Sequence, residues 1–214
     1  MAIRSNSYSE RSVTMKLYFS QNSPYARRPR LVLHEAGLQD EVEEEDLTPR
    51  AENDAVLFAN GPGGKVPALI TNTGAFIVES LLICRYLDDL SGNKLTPPQP
   101  EERDKAIQLE GTASVLMDTL YFRTHEGRRD ESHQVSTVKE KDAKIAMATY
   151  DALNEAAADF GDTINLGIIT TISALGYADW RHPSDNWRDG RPLLADWYER
   201  ISNRPAMKLT APIY

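Results

Sequence analysis

The sequence predicts an α/β domain built on one mixed four-stranded sheet with helices, followed by an all-α helical bundle. Residues 15–92 alternate short β-rich runs with helical segments, whereas residues 101–214 show helical periodicity alone. Residues 93–100 are rich in proline, which interrupts regular structure and indicates a linker. The chain has 214 residues, enough for two small domains. Residues 1–14 are polar, and we expect them to form a flexible extension.

Composition narrows the possible partners. The 24 basic and 32 acidic residues give a net charge of −8, which argues against nucleic acid because phosphate binding needs a basic surface. No apolar run approaches the ~20 residues that span a bilayer, so we expect no membrane partner. Cys84 is the one cysteine, and the four histidines lack metal-ligand spacing, so we expect no disulfide and no metal site. The expected compartment is a reducing cytoplasm.

The first strand and helix place a hydroxyl at a helix terminus. Residues 16–19 are apolar enough for a strand, and residues 24–36 read as a helix that Gly37 ends. Ser23 is a good N-cap, and Pro24 suits the first helical position because its missing N–H costs nothing there. Unpaired backbone N–H groups and the helix dipole at such a terminus stabilise an anion, including a thiolate.

The rest of the first domain reads as strands, a loop and a helix. Residues 41–46 are acidic, which fits an edge strand protected by charge. A divalent-cation site there is disfavoured because adjacent carboxylates of a strand point to opposite faces. After a loop with a short helix over residues 52–58, residues 66–70 and 76–78 form a hairpin. Residues 81–90 have helical apolar spacing.

The second domain reads as four helices. The first begins at Glu101 and places a set of apolar residues near one broad face. The second spans residues 138–160, and the last spans residues 193–202. The third, residues 166–177, is apolar almost all round and should be buried, with Asp162 as its cap. The apolar set on the first helix is Ile107, Leu109, Ala113, Leu116, Met117 and Leu120.

Three motifs carry a family resemblance. The turn Ser23-Pro24-Tyr25-Ala26 is similar to the Cys-Pro-Tyr-Cys turn of glutaredoxins, with both cysteines replaced. With two later motifs, it makes residues 15–212 resemble the cytosolic glutathione S-transferases of the serine-using, small bacterial type. The resemblance implies a thioredoxin-like first domain, glutathione as co-substrate, no metal and a homodimer. The two later motifs are Gly64-Lys65-Val66-Pro67-Ala68-Leu69 and Glu79-Ser80 ahead of Leu82, Ile83, Tyr86 and Leu87.

The resemblance makes Ser23 the expected catalytic residue. Its hydroxyl would donate a hydrogen bond to the glutathione thiolate, which would then attack a small apolar electrophile. A free thiol titrates near about 8.5, and each pKa unit gained corresponds to about 1.4 kcal/mol. Ser20, Tyr18 and Tyr25 are alternative donors, since some family members use tyrosine.

The resemblance also implies how glutathione is held. Pro67 is expected in the cis form, which turns the Val66 backbone toward the cysteinyl residue of the peptide. Ser80 suits the γ-glutamyl carboxylate, Glu79 the ammonium and Lys65 the glycyl carboxylate. The structural alternatives are an edge-strand proline at Pro67 and a simple N-cap at Ser80.

The second substrate is expected between the domains. Met117, Tyr121 and His125 lie near one face of the long helix and could line its site, although such residues are more often core. Arg27 and Arg28 are expected to pair with carboxylates or to join the domain interface. Cys84, among apolar residues of a helix, should be a buried structural thiol.

The sequence also allows other functions. A protein with this fold could bind glutathione without catalysis, as a scaffold. A glutathione-dependent isomerase or dehalogenase would use the same serine chemistry. A thiol–disulfide oxidoreductase is disfavoured, because neither position of the redox turn is cysteine.

Overall fold

The computed structural model describes residues 14–47 and 51–213. Residues 1–13, 48–50 and 214 lie outside the described part, and so does nearly all of the expected N-terminal extension. No helix among the described residues is long and apolar enough to cross a bilayer.

The first domain is a mixed sheet with helices, as expected. Its strands run in the order β2-β1-β3-β4, with β1 parallel to β2 and antiparallel to β3, and with β3 antiparallel to β4. The acidic strand β2 therefore lies at an edge, as the sequence predicts. The elements are β1 Met15–Phe19, α1 Pro24–Ala36, β2 Val42–Asp46, α2 Ala51–Asn60, β3 Ala68–Ile70, β4 Phe76–Val78 and α3 Ser80–Leu90.

Basic side chains neutralise the carboxylates of β2. Glu44 is bonded to Arg30 and to His34, whose Nε2 lies 2.8 Å from it. Burial raises the pKa of Glu44, but the hydrogen bonds from His34 and Arg30 outweigh it, and the net pKa is lowered. Lys16 donates to Glu45 at 2.7 Å. These carboxylates serve ion pairs, and the described residues contain no group of His, Cys, Asp or Glu that could hold a metal.

The second domain is entirely helical. Its long helix begins at Pro100, one residue before the predicted start at Glu101. The short final helix α8 was not expected from the sequence, because five residues carry too little periodicity to reveal it. The elements are α4 Pro100–Gly127, α5 Ser136–Ala156, α6 Leu166–Arg181, α7 Pro192–Ile201 and α8 Pro205–Leu209, with 3₁₀ turns at Glu131–His133, Ala157–Asp159 and Pro183–Asp185.

Two sequence predictions about these helices were wrong. Asn165, not Asp162, caps α6, since its side chain accepts from the Ile168 N–H at 3.0 Å. Both residue types cap helices well, and the start of the apolar run at Leu166 decides between them. Asp162 instead accepts from Arg200 at 3.4 Å. Ile107 is 49% exposed, because it points away from the buried face of α4 that the other five apolar residues share.

Helix α6 forms the centre of the second domain. Every residue from Leu166 to Ala178 is buried, which fits a helix that is apolar all round. It packs against α4 at Gly167, where an added Cβ would lie 2.6 Å from the Ala106 carbonyl oxygen and 2.9 Å from the Leu109 Cβ. The glycine therefore permits the close approach of the two helices.

Arg27 of α1 joins the two domains. Its buried guanidinium donates to the Ile172 carbonyl at 3.3 Å, the Met207 carbonyl at 3.2 Å and the Thr210 hydroxyl at 3.4 Å. A Cβ at Gly176 of α6 would collide with this guanidinium. The expectation that Arg27 joins the domain interface is confirmed, with carbonyl and hydroxyl oxygens as its acceptors.

We predict opposite effects for one substitution at two glycines of the helical domain. Gly167→Ala should lower the free energy of unfolding by about 1–3 kcal/mol, because the new methyl group meets backbone that cannot move aside. Gly111→Ala lies at an exposed position of α4, where an added Cβ meets nothing within 4 Å, and should raise the free energy of unfolding by about 0.5–1 kcal/mol. Urea or thermal unfolding measures both, and a stable Gly167→Ala would contradict the close packing of α4 on α6.

Candidate functional site

Ser23 caps α1 in the turn after β1. Its Oγ accepts a hydrogen bond from the Ala26 N–H at 3.2 Å, and its backbone is extended, as a cap requires. The cap uses the hydroxyl as an acceptor, so the O–H proton is still available for donation to another group. The side chain is half-buried at the positive end of a 13-residue helix. This arrangement can stabilise an anion that binds at the mouth of the turn.

The sheet register brings the other predicted residues to the same edge. Ala68 at the start of β3 pairs with Tyr18 near the end of β1 and with Val78 at the end of β4. The residues just before Ala68 are Val66 and Pro67, and the peptide bond between them is cis, as expected. They lie between the turn that leads to Ser23 and the junction of β4 with α3.

Glu79 and Ser80 form that junction. Glu79 is exposed and has a φ of 73°, a conformation that is uncommon for a non-glycine residue and costs on the order of 1–3 kcal/mol. Ser80 is the first residue of α3 and Glu79 occupies the cap position, so the alternative that Ser80 is the N-cap was wrong. Ser80 is buried and belongs to the first turn of α3, whose N–H groups have no partner within the helix. Lys65 is exposed at the rim.

Tyr25 and Tyr18, two of the alternative hydrogen-bond donors to the thiolate, are poorly suited to that role. The Tyr25 hydroxyl donates to Asp118 Oδ1 of α4 at 2.6 Å, so its proton is committed. Burial and this hydrogen bond raise the pKa of Tyr25 well above its usual range. Tyr18 is buried in an apolar cluster with Leu47 and Leu57. Ser20 is half-buried, and its carbonyl accepts from the Ser23 N–H at 3.3 Å.

An aromatic row on α4 faces the turn. The Tyr121 ring contacts Tyr25 edge-on, with 5.3 Å between centroids, and lies 4.2 Å from the His125 ring. Tyr121 is half-buried and His125 is exposed, so solvent reaches both rings. Burial, and then the charge of Arg128, lower the pKa of His125. Met117 differs from the expectation, because it is fully buried and belongs to the core.

Sequence reasoning missed the groups that connect these elements. Asp118 was not singled out, although it shares the α4 face of Tyr121 and fixes Tyr25. Arg28 was assigned only to an interface or a carboxylate, yet it donates to the Ser80 hydroxyl at 3.3 Å. No signal in the sequence near Arg28 indicated this partner, which lies 52 positions away.

A separate cavity of about 440 Å³ lies in the helical domain, at the turn after α6. Three of the side chains that line it are paired with one another. Trp187 Nε1 donates to Asp179 at 2.7 Å, and Arg188 forms a bidentate ion pair with the same carboxylate. These pairs occupy the Asp179 carboxylate, and none of the residues predicted for the site lines this cavity, so the candidate site remains the region around Ser23.

A family model and a curated protein sequence both resemble this chain. Residues 22–90 match the family model described as the N-terminal domain of glutathione S-transferase. An uncharacterized GST-like protein of Escherichia coli K12, YibF, is 28% identical over 202 residues, which cover 92% of this chain and 98% of that protein.

Solved structures extend the similarity over both domains. A glutathione transferase family member from Pseudomonas fluorescens Pf-5, with bound glutathione, is 31% identical, with a TM-score of 0.87, covering 94% of this chain and all (100%) of that chain. Another structure from that organism, with bound S-(propanoic acid)-glutathione, is 30% identical with a TM-score of 0.83, and covers 93% of this chain and 100% of that one.

We predict that Cys84 does not react with a thiol reagent in the folded protein. The side chain is fully buried in α3, and burial raises the pKa of its thiol, which removes both access and thiolate character. Titration with an aromatic disulfide should find no fast thiol until denaturant is added, and then one per chain. Rapid native labelling would mean that α3 opens readily.

Proposed function

This chain belongs to the glutathione S-transferase family, and on that premise we propose that it activates glutathione as a thiolate and transfers it to a small apolar electrophile. The proposal assigns the sulfur anion to the mouth of the turn at Ser23. The peptide backbone would run along Val66 and Pro67, and the γ-glutamyl end would reach Glu79 and Ser80. Lys65 would approach the glycyl carboxylate.

The observation that carries this proposal is the hydrogen-bonding state of Ser23. Its oxygen already accepts from the Ala26 N–H, so its O–H has no other role within the turn and can donate to sulfur. Tyr25, the rival donor, gives its proton to Asp118. A hydrogen bond to the charged form and the nearby helix terminus both lower the pKa of a bound thiol.

The chemical step is a nucleophilic displacement or addition. Ser23 donates a hydrogen bond and forms no covalent bond. The thiolate electron pair forms a carbon–sulfur bond, and either a leaving group departs with its electron pair or the electrons of a double bond take up a proton. An apolar electrophile would rest against Tyr121 and His125, which line the boundary between the domains. Expulsion of water there would favour attack by sulfur.

Two features of the similar proteins support the proposal. The Pseudomonas structures contain glutathione in one case and a glutathione conjugate in the other. The conjugate is the type of product that thiolate attack forms. For this chain, we place the reaction in the cytoplasm, where glutathione keeps thiols reduced.

We predict that Ser23→Ala lowers turnover far more than glutathione affinity. Loss of a hydrogen bond to a charged group should reduce kcat/KM by about 10- to 100-fold near neutral pH. Because the donor lowers the thiol pKa in the intact enzyme, its removal should shift the rise of the pH–rate profile to higher pH. Turnover of a generic aromatic halide, with glutathione affinity measured by calorimetry, tests this.

Matched variants identify the donor. Ser20→Ala and Tyr25→Phe each remove one hydroxyl from the same region and should retain most of the activity. Full activity in Ser23→Ala would overturn the assignment. Glutathione binding by the unmodified protein, without turnover of any electrophile and unaffected by Ser23→Ala, would indicate a binding protein instead.

We also propose a homodimer, as the family resemblance implies. Several large apolar side chains are exposed on α3 and α4, including Leu82 at 59% and Ile107 at 49% exposure, and a second copy could cover them. Sedimentation at micromolar concentration should give twice the mass of the chain, and Leu82→Glu should shift the protein toward monomer. A monomer for the unmodified protein would refute the proposal.

A further inference from the structure

Arg28 is a buried cation that bridges three helices. It lies on α1 and is 2% exposed. Its Nη1 donates to Ser80 Oγ of α3 at 3.3 Å, and its Nη2 donates to Ser114 Oγ at 3.0 Å and contacts the Met117 sulfur at 3.6 Å, both on α4. The arginine thus connects the start of α3 to the wall of the helical domain.

Among the described residues, no carboxylate forms a hydrogen bond or an ion pair with this arginine, although its charge also acts on the nearby carboxyl group of Glu110. Within residues 14–47 and 51–213, the acceptors of Arg28 are two hydroxyls and a thioether, and its Nε is buried without any hydrogen-bond partner. Buried charges are normally paired, because transfer from water into protein is costly. The guanidinium here donates its hydrogen bonds to neutral acceptors, and the Ser80 hydroxyl is one of them.

Arg28 also determines what Ser80 can do. A hydroxyl has one proton to donate and two lone pairs that accept. Because the guanidinium only donates, the Ser80 oxygen accepts on that side and its proton must point elsewhere. The first-turn N–H groups of α3 lie beside this hydroxyl without helical partners. The hydroxyl proton and these N–H groups together favour a carboxylate.

We propose that Arg28 is a positioning residue that holds Ser80 as a hydrogen-bond donor to the γ-glutamyl carboxylate of glutathione. It does not touch the peptide itself, and it acts through the Ser80 oxygen. The inference rests on the proposed function, since it deepens the glutathione site. It makes the recognition of one carboxylate depend on a residue of α1 that is also anchored to α4.

The test compares two peptides that differ in one group. Glutathione and 4-aminobutanoyl-cysteinylglycine share the ammonium, the thiol and the glycyl carboxylate, and only the first has the γ-glutamyl carboxylate. Calorimetry measures the affinity of each peptide for four proteins: the unmodified protein, Arg28→Met, Ser80→Ala and the double variant. Methionine fills the space of the arginine stem without charge, and an apolar replacement of a buried charged group is often tolerated.

We expect Arg28→Met to weaken glutathione binding by about tenfold, the effect of losing support for a charged hydrogen bond. Binding of the analogue should change by less than about twofold, and Arg28→Met should add little in the Ser80→Ala background, because both act on one interaction. Ser114→Ala is the matched control, since it removes another acceptor of the same guanidinium and leaves Ser80 unchanged. It should bind glutathione normally.

Other outcomes overturn the inference. Equal weakening of both peptides would show a merely structural role, and so would losses that add fully in the double variant. Unchanged glutathione binding in Arg28→Met would also refute it. If Arg28→Met does not fold, Arg28→Leu, which also removes the charge and the donors, replaces it and must show the same selective loss for glutathione. An unmodified protein that binds neither peptide would instead refute the proposed function.

Discussion

The pairing of buried guanidinium groups on α1 fixes the arrangement of this molecule. Arg27 binds carbonyl oxygens of α6 and α8, Arg28 binds hydroxyls of α3 and α4, and Arg30 binds Glu44 of β2. Buried charged groups tolerate little displacement, because a lost partner leaves the full cost of desolvation. Helix α1 is therefore held from three sides. Ser23 begins that helix, so the position of its hydroxyl relative to the helical domain follows from these contacts.

Local rules allowed much of the site to be predicted from the sequence. The cap at Ser23, the left-handed residue Gly37 and the charged edge strand each depend on a few neighbouring residues, and all were confirmed. The cis bond before Pro67 was also expected, although it came from the family resemblance. The order of elements followed from hydrophobic periodicity, which local residue choice encodes directly.

Long-range contacts could not be predicted in the same way. The Arg28–Ser80 and Tyr25–Asp118 hydrogen bonds join residues 52 and 93 positions apart, and nothing near either residue indicates its partner. The choice between Asp162 and Asn165 as cap failed because both are chemically suitable, and packing of the following residues decides it. Helical periodicity did place Met117 on the buried face of α4, and only its second assignment, to the substrate site, failed.

The acceptors of Arg27 determine how the contact between the two domains responds to pH. Main-chain carbonyls bear no net charge and do not titrate, and arginine side chains are not deprotonated in proteins. The hydrogen bonds from Arg27 to the carbonyls of Ile172 and Met207 should therefore change little with pH. The boundary beside the site is thus held by contacts whose strength is nearly independent of acidity.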